Sequence, residues 1–249
     1  MTAPALITLA HGSRDPRSAA TIASLTELVR CMRPDLRVEE SFLELSDPSP
    51  LTVADRLVAE GFDEIVVIPL LLTQAYHANV DVPQVLEAIR QRHPHVSVIA
   101  TDVLGIHKSF LGVLDLRLRA ALREARATEL DALVLASAGS SDPLANAHVA
   151  RVARAWGARH KLPVLAAFAS TAPPATGEAV RQLRNDGKRH IAVGSLFLAP
   201  GFLPDRAAVL ALEAVAVPVS DPLGASPELA HVILARYAVG AVDLVPIPV

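Results

Sequence analysis

The sequence carries one pattern twice, and this duplication limits the folds that the chain can adopt. Four anchors in the first half recur in the same order in the second half. The paired positions are 6–16 with 133–143, Phe42 and Pro48 with Phe168 and Pro174, 65–72 with 191–198, and 102–105 with 221–224. Such ordered self-similarity indicates two copies of one structural unit. We expect the copies to join near residues 126–129, giving domains over 1–127 and 128–249.

The first copy alternates strand patterns with helix patterns. Short apolar runs predict strands, and longer stretches with helical periodicity follow each of them. The predicted strands cover 6–10, 38–43, 65–70 and 96–100, and the predicted helices cover 15–31, 51–60, 82–92 and 109–127. Four such units in a row predict an α/β fold with a four-stranded parallel sheet flanked by helices in each copy. The cleft between two copies is the natural ligand site.

Composition excludes several functional classes. The net charge of −3 gives no electrostatic basis for binding nucleic acid. The single cysteine, Cys31, rules out a multi-cysteine metal site and fits a reducing cytoplasm, where we expect the protein to reside. The longest apolar runs, 65–72 and 191–203, contain proline and fall short of the roughly 18 residues that a membrane span needs. We therefore expect no membrane partner, and either a monomer or a homodimer.

The duplication also separates residues that the fold needs from residues that chemistry needs. Several polar residues of the first copy have nonpolar or smaller counterparts in the second. The substituted positions are His11 with Ala138, Arg14 with Ser141, Glu44 with Ser170, and His77 with Leu203. His11 and Glu44 follow the first two predicted strands, and His77 lies in the loop beyond the third. Because ligands bind outside the carboxyl ends of parallel strands, we expect these three residues to converge.

Two imidazoles and a carboxylate suit a divalent ion such as Fe²⁺, Co²⁺, Ni²⁺ or Zn²⁺, and a neutral imidazole can also accept a proton. Other interpretations stay open for single residues. Glu44 could cap the loop before Asp47, and Arg14 could pair with Asp15 or cap a helix instead of binding a substrate carboxylate. Tyr76, with the leucines at 70–72, could line an apolar wall or belong to the core.

These residues lie in motifs that resemble the class II tetrapyrrole chelatases. The motifs are AHGSRDP at 10–16, FLE at 42–44, and PLLLTQAYH at 69–77 followed by NVDVP at 79–83. The match is closest to the sirohydrochlorin chelatases, which serve sirohaem or cobalamin synthesis. It covers nearly the whole chain when the second half is taken as the degenerate copy of a long, two-lobe form.

The resemblance implies two flavodoxin-like lobes around a tetrapyrrole substrate, with Fe²⁺ or Co²⁺ inserted without ATP and with no organic cofactor. It places the two catalytic, metal-binding histidines on His11 and His77 and an acidic metal-site residue on Glu44. Ala138 and Leu203 leave the second copy without histidines, so we expect one active site per chain. The absence of a histidine-rich tract favours iron over cobalt, with Ni²⁺ or Zn²⁺ as surrogates. Arg14, Tyr76 and Arg206 are the candidate substrate-binding residues.

Three rival functions remain to be compared. A phosphohistidine phosphatase needs an arginine directly before the histidine, and Ala10 occupies that position. A Rossmann dinucleotide site needs Gly-x-Gly-x-x-Gly after a strand, a pattern that the sequence lacks. A non-catalytic tetrapyrrole- or metal-binding protein on the same fold is the alternative that the sequence leaves open.

Overall fold

A computed structural model describes residues 3–73 and 80–244. The first of its two sheets is formed by the first copy. Its parallel strands are β1 (Ala5–Ala10), β2 (Val38–Phe42), β3 (Glu64–Pro69) and β4 (Ser97–Ala100), in the order β2-β1-β3-β4. All six residues of the central strand β1 are buried. Continuous apolar strands of this kind are expected where helices cover both faces of a parallel sheet. The predicted four-stranded sheet of the first copy is therefore confirmed.

The second sheet contains β5 (Ala132–Ser137), β6 (Val164–Phe168) and β7 (Ile191–Ser195), in the order β6-β5-β7. The prediction of four strands is wrong for this copy. The segment beside β7 does form backbone hydrogen bonds with it, from Val217 N to Ile191 O (2.8 Å) and from Ser220 N to Val193 O (2.8 Å). Pro218, between them, has no N–H to donate, so the pairing is reduced to an isolated bridge.

Eight helices lie within the described residues. They are α1 (Pro16–Met32), α2 (Pro50–Ala59), α3 (Asp81–Arg92), α4 (Phe110–Glu124), α5 (Pro143–His160), α6 (Thr176–Asn185), α7 (Phe202–Glu213) and α8 (Pro227–Asp243). The Asp-Pro pairs that the two copies share start α1 and α5. Asp15 and Asp142 accept hydrogen bonds from the backbone N–H groups two residues later, and proline occupies the first helical position, where it needs no donor.

The chain divides into two compact units after His107 and again after Gly224. The first unit combines the first sheet with α8, which packs against α1 and β3, and Tyr237 Oη donates to the carbonyl of Pro4 (2.7 Å). The second unit combines the second sheet with α4, which packs against β7. The sequence predicts domains over 1–127 and 128–249. The compact units differ from this division because α4 belongs to the second unit and α8 to the first.

Each unit has its own apolar core. In the first, β1 and β3 pack on α2 and α3 through Ile7, Ile65, Leu57 and Ile89, all fully buried. The second is rich in alanine, with Val134, Val193 and Val180 among its fully buried members. These cores hold the strand ends in place, and the loops that follow the strands carry the candidate site.

Among the described residues, no helix is both long enough and apolar enough to cross a membrane.

Candidate active site

His11 and Glu44 meet where β1 and β2 end. The parallel hydrogen bonding of the two strands continues for two residues beyond the sheet, from Leu43 N to Ala10 O (2.9 Å) and from Glu44 N to His11 O (3.0 Å). The side chains lie together, with His11 Nε2 3.5 Å from Glu44 Oε1. The side chain of His11 is 36% exposed and that of Glu44 is 55% exposed. A metal ion from solvent can therefore reach both groups.

The second nitrogen of the imidazole is occupied by the protein backbone. His11 Nδ1 lies 3.3 Å from the carbonyl oxygen of Gly12. In the tautomer that donates from Nδ1, Nε2 keeps its lone pair, and this lone pair faces a carboxylate oxygen. In that tautomer, the Nε2 lone pair and Glu44 Oε1 can both bind one cation, whereas in the other tautomer the Nε2–H is directed at Glu44. A backbone carbonyl that holds the second ring nitrogen is also the usual support for a metal-binding histidine.

Gly12 allows the two loops to approach closely. Its φ of +96° lies in the left-handed region, and an added Cβ would fall 1.7 Å from the carbonyl oxygen of Glu44. The second copy preserves this arrangement without the polar groups. Gly139 has a φ of +88°, its Cβ would lie 2.0 Å from Ser170 O, and Ser170 N donates to Ala138 O (2.9 Å). The second copy therefore retains the loop scaffold but lacks the histidine and the carboxylate.

The two predicted substrate-binding arginines, Arg14 and Arg206, belong to different units. Arg14 is exposed, three residues beyond His11 in the same loop, while Arg206 is exposed on α7 of the second unit. Asp15 does not serve as the partner of Arg14. It binds Arg17, with Asp15 Oδ2 2.5 Å from Arg17 Nη2, and hydrogen bonding by Arg17 lowers the pKa of the Asp15 carboxyl. Among the described residues, the partner of Asp15 is therefore Arg17 and not Arg14.

Two of the predicted site residues, Tyr76 and His77, lie outside the described residues. Of the three predicted metal ligands, the structure brings together His11 and Glu44. Within 3–73 and 80–244, no group of three or more His, Cys, Asp or Glu side chains forms a metal cluster. Of the predicted metal donors, those that the structure describes are thus a pair, His11 and Glu44.

Sequence reasoning missed two features of these loop regions. One is Ser46, whose hydroxyl connects the Glu44 loop to the His11 loop. Its signal was its position two residues after Glu44, opposite an alanine in the second copy. The other is a pair of large apolar side chains, Leu144 and Phe202, which are 76% and 74% exposed where α5 and α7 begin. Phe202 occupies the position that Tyr76 holds in the first copy, which the repeat alignment could have shown.

One protein-family model matches this chain twice, once in each copy. The CbiX family model matches residues 5–121 and again residues 132–239. The chain belongs to the CbiX family. The two matches correspond to the two copies seen in the sequence, so the predicted family resemblance is confirmed over most of the chain.

Curated relatives of this CbiX-family protein carry chelatase names. Sirohydrochlorin cobaltochelatase from Priestia megaterium is 28% identical over 202 residues, which are 79% of this chain and 64% of the relative. Sirohydrochlorin ferrochelatase from Bacillus subtilis strain 168 is 30% identical over 142 residues, which are 56% of this chain and 52% of the relative. The matched regions thus span between half and two thirds of these relatives' own lengths.

Solved structures share the fold along almost the entire chain. SirB from Bacillus subtilis with Fe³⁺ superposes with a TM-score of 0.80 at 24% identity, covering 97% of this chain and 96% of SirB. The cobalt complex of the sirohydrochlorin chelatase SirB from Bacillus subtilis subspecies spizizenii gives a TM-score of 0.76 at 22% identity, covering 97% of each chain. These similarities establish the two-copy chelatase fold.

Proposed function

We propose that this protein is a sirohydrochlorin chelatase that inserts a divalent metal ion, Fe²⁺ in preference to Co²⁺, without ATP. The observation that carries the proposal is the accessible His11–Glu44 pair, 3.5 Å apart at the carboxyl ends of β1 and β2 and absent from the second copy. The chelatase names of the relatives in Priestia megaterium and Bacillus subtilis support the same reaction.

The metal ion is a substrate in this reaction, so the site must bind it and then release it. His11 Nε2 and the Glu44 carboxylate supply one nitrogen and one oxygen donor, a set that accepts Fe²⁺ and Co²⁺ alike. We assign His77 as the third donor. Three protein donors leave coordination positions open, and through these positions the pyrrole nitrogens of the substrate can take over the ion.

The proton balance assigns a second task to the same residues. The free-base macrocycle loses two pyrrole N–H protons as the metal–nitrogen bonds form, and the metal brings two positive charges, so two protons are released per insertion. Once the ion has passed to the macrocycle nitrogens, His11 Nε2 and the Glu44 carboxylate have free lone pairs again, so each can accept one of these protons and pass it to solvent. The exposure of His11 and Glu44 gives those protons a direct path to water.

The substrate carries several peripheral carboxylates, which require cationic partners. Arg14 and Arg206 are exposed guanidinium groups that can bind a carboxylate through two parallel hydrogen bonds. Arg14 lies in the loop of His11, so we assign it to a carboxylate near the reacting centre. Tyr76 and Arg206 complete the proposed substrate-binding set.

The decisive experiment is a metal-insertion assay with purified protein, sirohydrochlorin and Fe²⁺, Co²⁺ or Ni²⁺. We expect His11→Ala and Glu44→Gln to lower the rate by about 100-fold, the lower range for losing a group that transfers protons. The chain offers a matched control in His190 and Glu129, an exposed pair whose Nε2 and Oε2 atoms lie 2.9 Å apart. The variants His190→Ala and Glu129→Gln should stay within about twofold of the wild-type rate, since they lie outside the proposed site.

Two results would contradict the proposal. Full activity in His11→Ala would remove this histidine from the mechanism. A wild-type protein that binds sirohydrochlorin without accelerating formation of the metallated product would identify the non-catalytic binding protein instead.

A further inference from the structure

Ser46 connects the two loops that carry His11 and Glu44. Its hydroxyl accepts a hydrogen bond from the backbone N–H of Ser13 (3.1 Å) and donates one to the backbone carbonyl of the same residue (2.8 Å). Ser13 lies two residues after His11, and Ser46 lies two residues after Glu44. The hydroxyl of Ser46, on the Glu44 loop, thus binds both the N–H and the C=O of Ser13 on the His11 loop.

The second copy satisfies the same backbone groups in a different way. Ser140 is the counterpart of Ser13, and its N–H donates to Asn146 Oδ1 (2.9 Å) while Asn146 Nδ2 donates to its carbonyl (2.7 Å). Asn146 belongs to α5, the helix that directly follows this loop. The bond pair in the second copy is therefore local and does not involve the neighbouring loop.

The sequence shows that the two solutions replace one another. The first copy has Ser46 and, opposite Asn146, the small residue Ala19. The second copy has Asn146 and, opposite Ser46, the small residue Ala172. Both copies must satisfy the backbone of this turn, because unpaired and partly buried N–H and C=O groups are costly. Only the copy with the histidine and the carboxylate does so from the neighbouring loop.

We infer that Ser46 is a positioning residue, which holds the Glu44 loop against the His11 loop and so fixes the separation of the two metal donors. This inference rests on the proposed function of the His11–Glu44 pair. Backbone bonds and the Gly12 contact align the loops as far as Glu44, where the chain turns at Leu45 with a φ of +61°. Ser46 anchors the chain directly after that turn, so Glu44 is held on both sides.

The first copy uses Ser46 where the second copy uses Asn146, and this difference can be tested by substitution. Ser46→Ala removes the connection and also leaves the Ser13 backbone unsatisfied. Adding Ala19→Asn should restore a local pair of the kind that Asn146 makes, because both positions are half-buried near the start of the first helix of their copy. The double variant therefore separates stability of the turn from connection between the loops. Asn146→Ala is the matched control, since it removes the same two backbone bonds from the copy without the site.

Binding of Co²⁺ followed by its visible absorption bands, together with the thermal midpoint, gives the readout. We expect Ser46→Ala to weaken Co²⁺ binding by at least about tenfold, as is typical when a support of a metal ligand is lost. The double variant should regain the thermal midpoint but not the Co²⁺ affinity, and Ser46→Thr, which keeps the hydroxyl, should regain both. Asn146→Ala should lower the midpoint and leave Co²⁺ binding unchanged.

Recovery of Co²⁺ affinity in the double variant would overturn the inference, because Ser46 would then act only on stability. Unchanged affinity in Ser46→Ala would do the same. His11→Ala, measured alongside, distinguishes this failure from failure of the proposed function. If His11→Ala binds Co²⁺ as wild type does, the site itself is wrongly assigned. If it loses Co²⁺ while Ser46→Ala does not, only the positioning role of Ser46 is wrong.

Discussion

Gly12 lies directly against the backbone of Glu44, so closely that a Cβ on Gly12 would fall 1.7 Å from the Glu44 carbonyl oxygen. This contact joins the two loops of the proposed site at their base. The carbonyl cannot move aside easily, because the neighbouring Glu44 N–H is bound to His11 O (3.0 Å). The spacing of the two proposed metal donors thus depends on Gly12, which has no side chain.

Gly12→Ala should force the loops apart. We expect a loss of about 3 kcal/mol or more in the free energy of unfolding, because strain at positive φ adds to a backbone collision. Gly61 has a similar φ of +94° with no atom within 4 Å of an added Cβ, so Gly61→Ala should cost only about 1 kcal/mol. Urea unfolding measures both variants. Equal losses in the two would show that the Gly12–Glu44 contact has no energetic weight.

The second copy should bind a metal ion weakly when two of its three missing donors, those at positions 138 and 170, are restored. Ser170 N already donates to Ala138 O (2.9 Å), so Ala138→His with Ser170→Glu places the new side chains on an equivalent backbone. We expect isothermal titration with Co²⁺ to show a second, weaker binding event, because Leu203 leaves the new pair without a third donor. Ala138→His alone is the control. An unchanged stoichiometry would contradict the view that the second copy lacks only the polar groups.

Asp115 should stabilise the second unit by a buried polar contact. Its Oδ1 atom accepts from Trp156 Nε1 (2.8 Å) and contacts His160 Nε2 (2.7 Å), and both Asp115 and Trp156 are buried. Asp115→Ala leaves the buried indole N–H unpaired, and we expect a loss of about 3 kcal/mol. His160→Ala keeps the indole bond and should cost about 1 kcal/mol. Trp156 is the single tryptophan, so its fluorescence reports unfolding of this unit.

The Co²⁺ affinity of Asp115→Ala tests whether the loss of stability is confined to the second unit. Co²⁺ affinity should be unchanged in Asp115→Ala under conditions where the protein is folded, because the proposed metal donors lie in the first unit. A parallel loss of Co²⁺ binding and stability would show that the two units are coupled in metal capture, contrary to this expectation.

Acid should remove one electrostatic contribution to stability. Hydrogen bonds from Arg33 lower the pKa of Asp35 from 3.8 to about 2. A carboxyl whose pKa is lowered in the folded state stabilises the fold above its unfolded pKa, and this contribution is lost as the pH falls from about 4 to about 2. Asp35→Asn and Arg33→Ala should both flatten the dependence of the urea midpoint on pH in this window. Slopes equal to that of wild type would show that the pair contributes nothing.

Local features of the sequence predicted much of the first copy. Apolar runs identified β1 and β3, and the pair Asp15-Pro16 identified the start of α1, because strand burial and helix capping depend on neighbouring residues. The duplication added His11 and Glu44 as a pair by showing their joint loss. The extra strand predicted for the second sheet failed at Pro218, where a missing N–H outweighed the similarity of the two copies.

The amino-acid sequence by itself thus determined the repeat, the order of strands and helices in the first copy, and the residues that we propose as metal donors. Only the tertiary structure decided that α4 packs with the second sheet and α8 with the first, and that Ser46 rather than a local side chain binds the backbone of Ser13. The physical reason is distance along the chain. Capping and periodicity act over a few residues, whereas these contacts join segments that are 33 or more residues apart and depend on how complete surfaces fit together.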